Sequence, residues 1–200
     1  MIIFDLGGVL FDWNPRYLFK KIFNSEEKME YFLNNVCNQE WNLRQDKGRP
    51  FIEGIQELLK KFPEHKSEIE AYHHRWIEML AGPISPTVEL LVDLKNAGYR
   101  LCVLSNWATE TFALVRPKHE FLNHFETILI SGEEKLIKPD LAFYNLLLER
   151  IKVPAAECVF IDDVAENIEA GKSIGIRGIQ FLNTQQVRND LKDLGVDLFI

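Results

Sequence analysis

The 200-residue chain is long enough to bury one substantial core and short enough to suit one domain with a smaller insertion. Its 46% hydrophobic and 26% charged residues are those of an ordinary soluble globular protein, and no apolar run approaches the ~20 residues that span a bilayer. A formal net charge of -7 argues against diffuse attraction to nucleic acid or an anionic membrane, so an anionic ligand must be met by local positive groups.

Cys37, Cys102 and Cys158 are odd in number and widely spaced, with no CxxC pair to suggest zinc or a redox motif. They fit a reducing compartment. The first residues lack the basic and apolar regions of a leader peptide, so the expected location is cytoplasmic.

The opening "MIIFDLGGVL" is an apolar strand that gives way to an aspartate and a glycine turn. A carboxylate there must be solvated, paired or bound to a cation, because burying it alone is costly. No second strand follows at the usual crossover distance. Instead "YLFKKIF", "KMEYFLNNV", "FIEGIQELLKKF" and "EIEAYHHRWIEML" show helical periodicity rich in aromatic and charged residues. A structureless loop of that length is implausible in a compact domain. Residues 12–83 are therefore expected to form an inserted helical cap, and residues 1–11 and 84–200 the core, rejoined through "AGPISP" and the helix "TVELLVDLKNAG".

From Gly98 onward, "YRLCVLSN", "ETILIS", "ECVFIDD" and "GIRGIQFL" alternate with amphipathic stretches such as "DLAFYNLLLERI" and "AENIEAGKSIG". Apolar strands interleaved with helices predict an α/β fold with a doubly wound, Rossmann-like parallel sheet covered on both faces. Ligands of such sheets bind beyond the carboxyl ends of the strands, where the winding direction reverses. The polar residues at those ends are Asp5, Ser105, Asn106, Asp162 and Asp163, with Lys138 in the loop "LIKPD". Singly, each has a structural account: a turn or helix cap for Asp5, Ser105 and Asn106, and the surface for Lys138. Adjacent Asp162 and Asp163 repel each other unless a cation lies between them and Asp5. The joint pattern is more specific than any member.

The ordered series "FDLGGVL", "LSN", "KPD" and "FIDDVAEN" resembles the four motifs of the haloacid dehalogenase superfamily, over essentially the whole chain. The insertion lies where that superfamily carries its helical C1-type cap. Among its branches the chain most resembles the phosphatases that include sugar-1-phosphate phosphatases and the amino-terminal domain of bifunctional epoxide hydrolases. The resemblance implies that Asp5 is a nucleophile forming an aspartyl-phosphate, that Ser105 binds the transferring phosphoryl group, and that Lys138 steadies both. It also implies a magnesium ion held by Asp5, by Asp163 directly, by Asp162 through water or neighbouring contacts, and by the main-chain carbonyl of Gly7. Main-chain amides of the Gly7 and Gly8 turn would donate to the phosphoryl oxygens, and Asn106 is counted with Gly8 among the substrate-binding residues. The activity so implied is magnesium-dependent hydrolysis of a small phosphorylated metabolite, such as a sugar phosphate.

One position departs from this pattern. Phosphatases of the superfamily usually carry a second aspartate two positions after the nucleophile, which protonates the leaving alkoxide and then activates water; here Gly7 stands there. Either the leaving group needs little help, or water or another acid substitutes, or turnover is slow. Asp12 is nearby, but its place just past the first turn favours a structural role. Two other activities share the gap. Haloacid dehalogenases lack the second aspartate and need no metal, although their fourth motif generally lacks an acid pair like Asp162 and Asp163. A non-catalytic phosphate-binding member of the superfamily is the other alternative. A receiver domain is disfavoured, since its acid pair sits on the first strand and no large insertion follows.

In the insertion, Trp13, Phe19, Phe23, Trp41, Phe51, Tyr72 and Trp76 recur at the spacing of core residues, and a few could line a pocket roof. "WNLRQDKGRP" is the most loop-like stretch, which makes Arg44, Asp46 and Trp41 candidate substrate contacts. Adjacent His73 and His74 cannot face one site from one helix and are expected on the surface. Asn167 is expected to cap or orient the loop after the acid pair.

Overall fold

The computed structural model describes residues 1–198. Strands β1 (Ile2–Phe4), β4 (Leu101–Ser105), β5 (Thr127–Ile130), β6 (Val159–Asp162) and β7 (Arg177–Gln180) form one parallel sheet in the order β5-β4-β1-β6-β7. Strands β2 (Phe11–Trp13) and β3 (Leu80–Pro83) pair antiparallel as a separate ribbon. Helices α1 (Arg16–Phe19), α2 (Glu26–Asn35), α3 (Gln39–Asp46), α4 (Phe51–Lys61) and α5 (Lys66–His74) lie between the two ribbon strands. The remaining helices are α6 (Ser85–Asn96), α7 (Thr109–Val115), α8 (Ser131–Glu134), α9 (Leu141–Ile151), α10 (Ala165–Ser173) and α11 (Thr184–Asp193).

The central strands are apolar throughout because both of their faces are covered. Ile2 and Phe4 join one core with Leu90, Leu91 and Leu94 of α6 and with Val187 and Leu191 of α11. Ile3, between them, joins a second core with Phe143 and Leu147 of α9 and Ile168 of α10. That alternation is the twofold side-chain period of a strand. It explains why the sequence shows a continuous apolar run rather than an apolar and polar alternation.

β1 sits mid-sheet, registered with β4 on one side and β6 on the other. The chain winds outward from β1 through β4 to β5, then crosses to the opposite side for β6 and β7. The winding reverses at β1, and the carboxyl ends of β1, β4 and β6 are adjacent there.

The helical insertion packs around aromatic residues that are continuous with the first of these two cores. Trp41 and Tyr72 meet edge to face at 5.1 Å between ring centroids, and Phe19 packs on Phe32 at 4.9 Å. Trp41 also donates from Nε1 to the Gly54 carbonyl at 3.1 Å. These aromatic residues are core, as their spacing suggests. The segment containing Arg44 and Asp46, expected to be loop, is instead helix α3, started by Asn38, whose side chain accepts from the Trp41 main-chain N–H at 2.8 Å. His73 is not a free surface residue either. It stacks on Phe51 at 4.6 Å and lies 3.1 Å from Glu110 of α7. Glu110 also accepts from the Phe51 main-chain N–H at 2.9 Å, so one carboxylate joins the insertion to the segment after β4. Among the described residues, no helix is long and apolar enough to cross a membrane.

Candidate active site

The switch point gathers side chains from distant parts of the sequence. Asp5 follows β1, Ser105 ends β4, Asp162 ends β6, and Lys138 reaches in from the loop before α9. All four are buried. Ser105 Oγ donates to Asp5 Oδ1 at 2.6 Å, the Leu6 main-chain N–H donates to the same oxygen at 2.7 Å, and Lys138 Nζ lies 3.0 Å from it. Three donors thus converge on Oδ1. Among the described residues, Oδ2 has no such partner, and Asp5 lines a large cavity.

Lys138 is shared. Its ammonium is 2.6 Å from Asp162 Oδ2 and 5.3 Å from the centre of the Phe160 ring, with no exposed side-chain surface. Asp162 is saturated by the same neighbourhood: Asn167 Nδ2 donates to both carboxylate oxygens at 3.0 and 3.1 Å, and the Val164 main-chain N–H donates at 2.8 Å. Asn167 therefore orients the acid loop, as expected. Asp12 likewise has a structural partner, the Tyr17 hydroxyl, which donates to it at 2.9 Å.

A third carboxylate, Asp163, completes the group. One oxygen each from Asp5, Asp162 and Asp163 lies within 4.8 Å of the others. The close approach also explains Gly8. Its φ is +73°, and a β-carbon there would collide with the Asp163 carboxylate. The left-handed backbone favours glycine, and any side chain there would also have to displace the Asp163 carboxylate.

Three carboxylates face one ammonium, Asp5 and Asp162 buried with it and Asp163 at the exposed edge, which leaves negative charge uncompensated. Burial pushes the Asp5 carboxyl upward; Lys138 opposes the rise and Asp162 adds to it. Asp163 is also raised, by burial first and then by Asp162. Burial pulls the Lys138 ammonium down, but Asp5 and Asp162 outweigh it and hold its pKa above the ordinary lysine value. An arrangement of hard oxygen donors with surplus negative charge fits a magnesium ion, which binds through one or two carboxylates and keeps sites for substrate oxygens.

Two expected substrate contacts are placed differently. Asn106 lines the cavity, but its side chain is engaged with the Lys138 main chain: Oδ1 accepts from the N–H at 2.8 Å and Nδ2 donates to the carbonyl at 3.0 Å. It holds the lysine loop in position. Arg44 is exposed and lies 3.4 Å from Glu57 of α4, away from the cavity lining. Helical phase is the reason, since Asn42 and Asp46, four residues apart, share the cavity-facing side of α3 while Arg44 falls between them.

The cavity, about 600 Å³, has walls from both the sheet rim and the insertion, with Asp5 and Lys138 below and Asn34, Asn38, Asn42 and Trp13 opposite. Arg16, which the sequence reading passed over, is the guanidinium on this wall, held by Glu30 at 2.6 Å. Arg16 lies just past the ribbon strand β2, whose existence was not foreseen.

A family model for haloacid dehalogenase-like hydrolases matches residues 1–175. A sesquiterpene phosphatase of Aspergillus oryzae is 30% identical over 193 residues, covering 96% of this chain and 94% of its own. A phosphorylated carbohydrates phosphatase of Thermotoga maritima is 25% identical, covering 89% of this chain and 82% of its own. A solved HAD family enzyme from Bacteroides thetaiotaomicron, in complex with magnesium and inorganic phosphate, has a TM-score of 0.68 at 24% identity, over 90% of this chain and 92% of that one. The match of sequence over most of the chain, on a sheet whose rim carries Asp5, Ser105, Lys138 and the acid pair, places this protein in the haloacid dehalogenase-like hydrolase family.

Proposed function

We propose that the protein is a magnesium-dependent phosphohydrolase that acts on a small phosphorylated metabolite, a sugar phosphate, through an aspartyl-phosphate on Asp5. The observation that carries this reading is the junction at Asp5: one carboxylate is fixed by three donors through Oδ1, stands among Asp162 and Asp163, and opens on a cavity of metabolite size. The acid pair favours phosphate chemistry over carbon–halogen cleavage, because an anionic nucleophile needs cationic help to meet a phosphate dianion and a haloacid dehalogenase does not.

Asp5, Asp163 and the Gly7 carbonyl would hold the magnesium ion, with Asp162 acting on the lysine side. Once bound, the ion supplies the charge that allows a phosphate group to approach Asp5. Lys138 contributes a fixed positive charge next to the nucleophile, and Ser105 supplies a hydrogen bond to a phosphoryl oxygen; the Gly8 N–H, expected to do the same, is instead spent on the Phe11 carbonyl at 2.9 Å. The free Asp5 oxygen bonds to phosphorus as the ester oxygen leaves. Residues 12–83 act as the cap and residues 1–11 and 84–200 as the core, with the cap walling the reaction from bulk water.

The relatives are named for a terpene and for carbohydrate phosphates. Asn34 and Asn38 on the cavity wall support the second class, because amide groups not taken up by the α3 cap can still bond to sugar hydroxyls. A panel of sugar phosphates, prenyl phosphates, a phosphoprotein and 2-haloacids, each assayed with and without magnesium, tests the reading. The expected result is phosphate release that requires magnesium and is at least ~10-fold faster for sugar phosphates than for the other esters, a discrimination within the reach of one polar pocket. Halide release without metal, or equal turnover of phosphoprotein and sugar phosphates, would contradict it.

A further inference from the structure

The missing aspartate at Gly7 leaves a gap that can be located. A β-carbon built on Gly7 meets nothing within 4 Å, so the place where an acid would stand is open space. That space belongs to a small cavity of about 80 Å³, walled by Gly7 and Asn106 on the sheet side and by Trp13, Asn42, Asp46 and Trp76 on the other. Asp46 is the carboxyl group on that lining. It also lines the larger cavity shared with Asp5 and Lys138, so the two spaces meet at this residue.

Asp46 is held for such a position. Asn42 Nδ2 donates to Asp46 Oδ2 at 2.8 Å, and the Asn42 amide is itself oriented by the buried Tyr72 hydroxyl, which donates to its Oδ1 at 3.1 Å. The Asp46 main-chain carbonyl accepts from Ser131 Oγ, which ties the end of α3 to the sheet side of the site. The neighbours of the carboxyl group are an amide and a main-chain N–H rather than a cation.

We propose that Asp46, projecting from the helical insertion, is the general acid and base of the reaction, performing from the opposite wall the proton transfers that Gly7 cannot. The proposal rests on the phosphohydrolase reading. In the first step an Asp5 oxygen bonds to phosphorus, the phosphorus–ester oxygen bond breaks, and the departing alkoxide takes the proton of the Asp46 carboxylic acid. In the second step the Asp46 carboxylate takes a proton from water as its oxygen bonds to phosphorus. The bond from phosphorus to Asp5 breaks, which restores the Asp5 carboxylate, re-forms the Asp46 acid and releases inorganic phosphate. The protonation state suits the first step. Burial pushes the Asp46 carboxyl up to about 8, the Ala108 main-chain hydrogen bond opposing the rise and the Asp5 charge adding to it.

The test separates the two steps by leaving group. In Asp46→Asn, p-nitrophenyl phosphate should still release about one equivalent of nitrophenolate in a rapid burst, because that anion needs no proton, and turnover should then stall. Intact mass should show phosphate accumulating on the protein. A sugar 6-phosphate, whose alkoxide needs a proton, should lose ~10²–10³-fold in the burst step itself. Magnesium affinity by calorimetry should stay within about twofold, since Asp46 is no ligand in this scheme. Adding Gly7→Asp to Asp46→Asn should recover at least ~10-fold of the sugar phosphate rate, because the β-position is open. Asp46→Ser should show the same split, which covers the case in which the amide variant folds poorly. Unchanged sugar phosphate turnover in Asp46→Asn, or equal loss of both substrates with no phosphorylated protein, overturns the inference alone. Failure of the wild-type protein to release phosphate from either ester overturns the phosphohydrolase reading, and the inference with it.

Discussion

Asp5→Asn should abolish phosphate release, by about 10⁴-fold or more, while leaving the folded state almost as stable as the wild type. The asymmetry of the Asp5 hydrogen bonds makes the two halves of this expectation separable. Leu6 N–H, Ser105 Oγ and Lys138 Nζ all meet Oδ1, so an asparagine can keep those three donors on its own Oδ1. Only the Oδ2 position changes, from an oxygen that can bond to phosphorus into an amino group that cannot. Because burial already pushes the Asp5 carboxyl upward, a neutral amide of the same shape also relieves a desolvation cost. Urea denaturation should place the variant within ~1 kcal/mol of wild type. A variant that unfolds would show that Asp5 is chiefly structural, and one that keeps its activity would remove it from the chemistry.

Lys138→Met should have a large effect of the opposite kind, on stability as well as rate. The ammonium is completely buried between Asp5 and Asp162, and it is the cation that touches either of them. Removing one partner of such a group strands the others, which costs ~3–5 kcal/mol where an intact buried pair contributes little net stability. Measured with chelator present, denaturation of Lys138→Met should therefore shift by that amount, and phosphate release should fall ~10²–10³-fold from the loss of a fixed charge beside the reacting group. The same geometry gives a second readout. Asp5→Asn added to Lys138→Met removes one of the stranded carboxylates, so the double variant should be more stable than Lys138→Met alone, with a coupling of ~1–3 kcal/mol. Strict additivity of the two substitutions would mean that their 3.0 Å contact is not energetically real.

The core was legible because its signals are strong and local. "IIF", "LCVLS" and "VFID" are apolar on both faces, as strands covered on both sides must be, and each ends on, or for β1 just before, the polar residue that the switch point uses. The ribbon was not legible. β2 is "FDW" and β3 is "LAGP", short segments without alternation, one carrying Gly82 and Pro83, and their pairing joins residues far apart in the sequence. Helix α3 was hidden for a different reason. Of its residues only Trp41 and Gln45 are buried, so "QEWNLRQD" carries almost no apolar stripe, and its start depends on the Asn38 cap rather than on periodicity. Missing the helix meant missing its phase, which is why Arg44 and Asp46 looked equivalent in sequence although one meets Glu57 in solvent and the other lines both cavities. The crowding at Gly8 was likewise out of reach, since the Asp163 carboxylate that a side chain there would displace lies far along the chain.

The most direct measurement is a crystal structure of the protein grown with magnesium and beryllium fluoride, a mimic of the phosphoryl group. The expected result is one magnesium ion bonded at about 2.1 Å to carboxylate oxygens of both Asp5 and Asp163, with beryllium bonded to Asp5 and Lys138 alongside. A metal bound elsewhere, an adduct on another residue, or Asp5 and Asp163 standing too far apart to share one ion would contradict the assignment of this site.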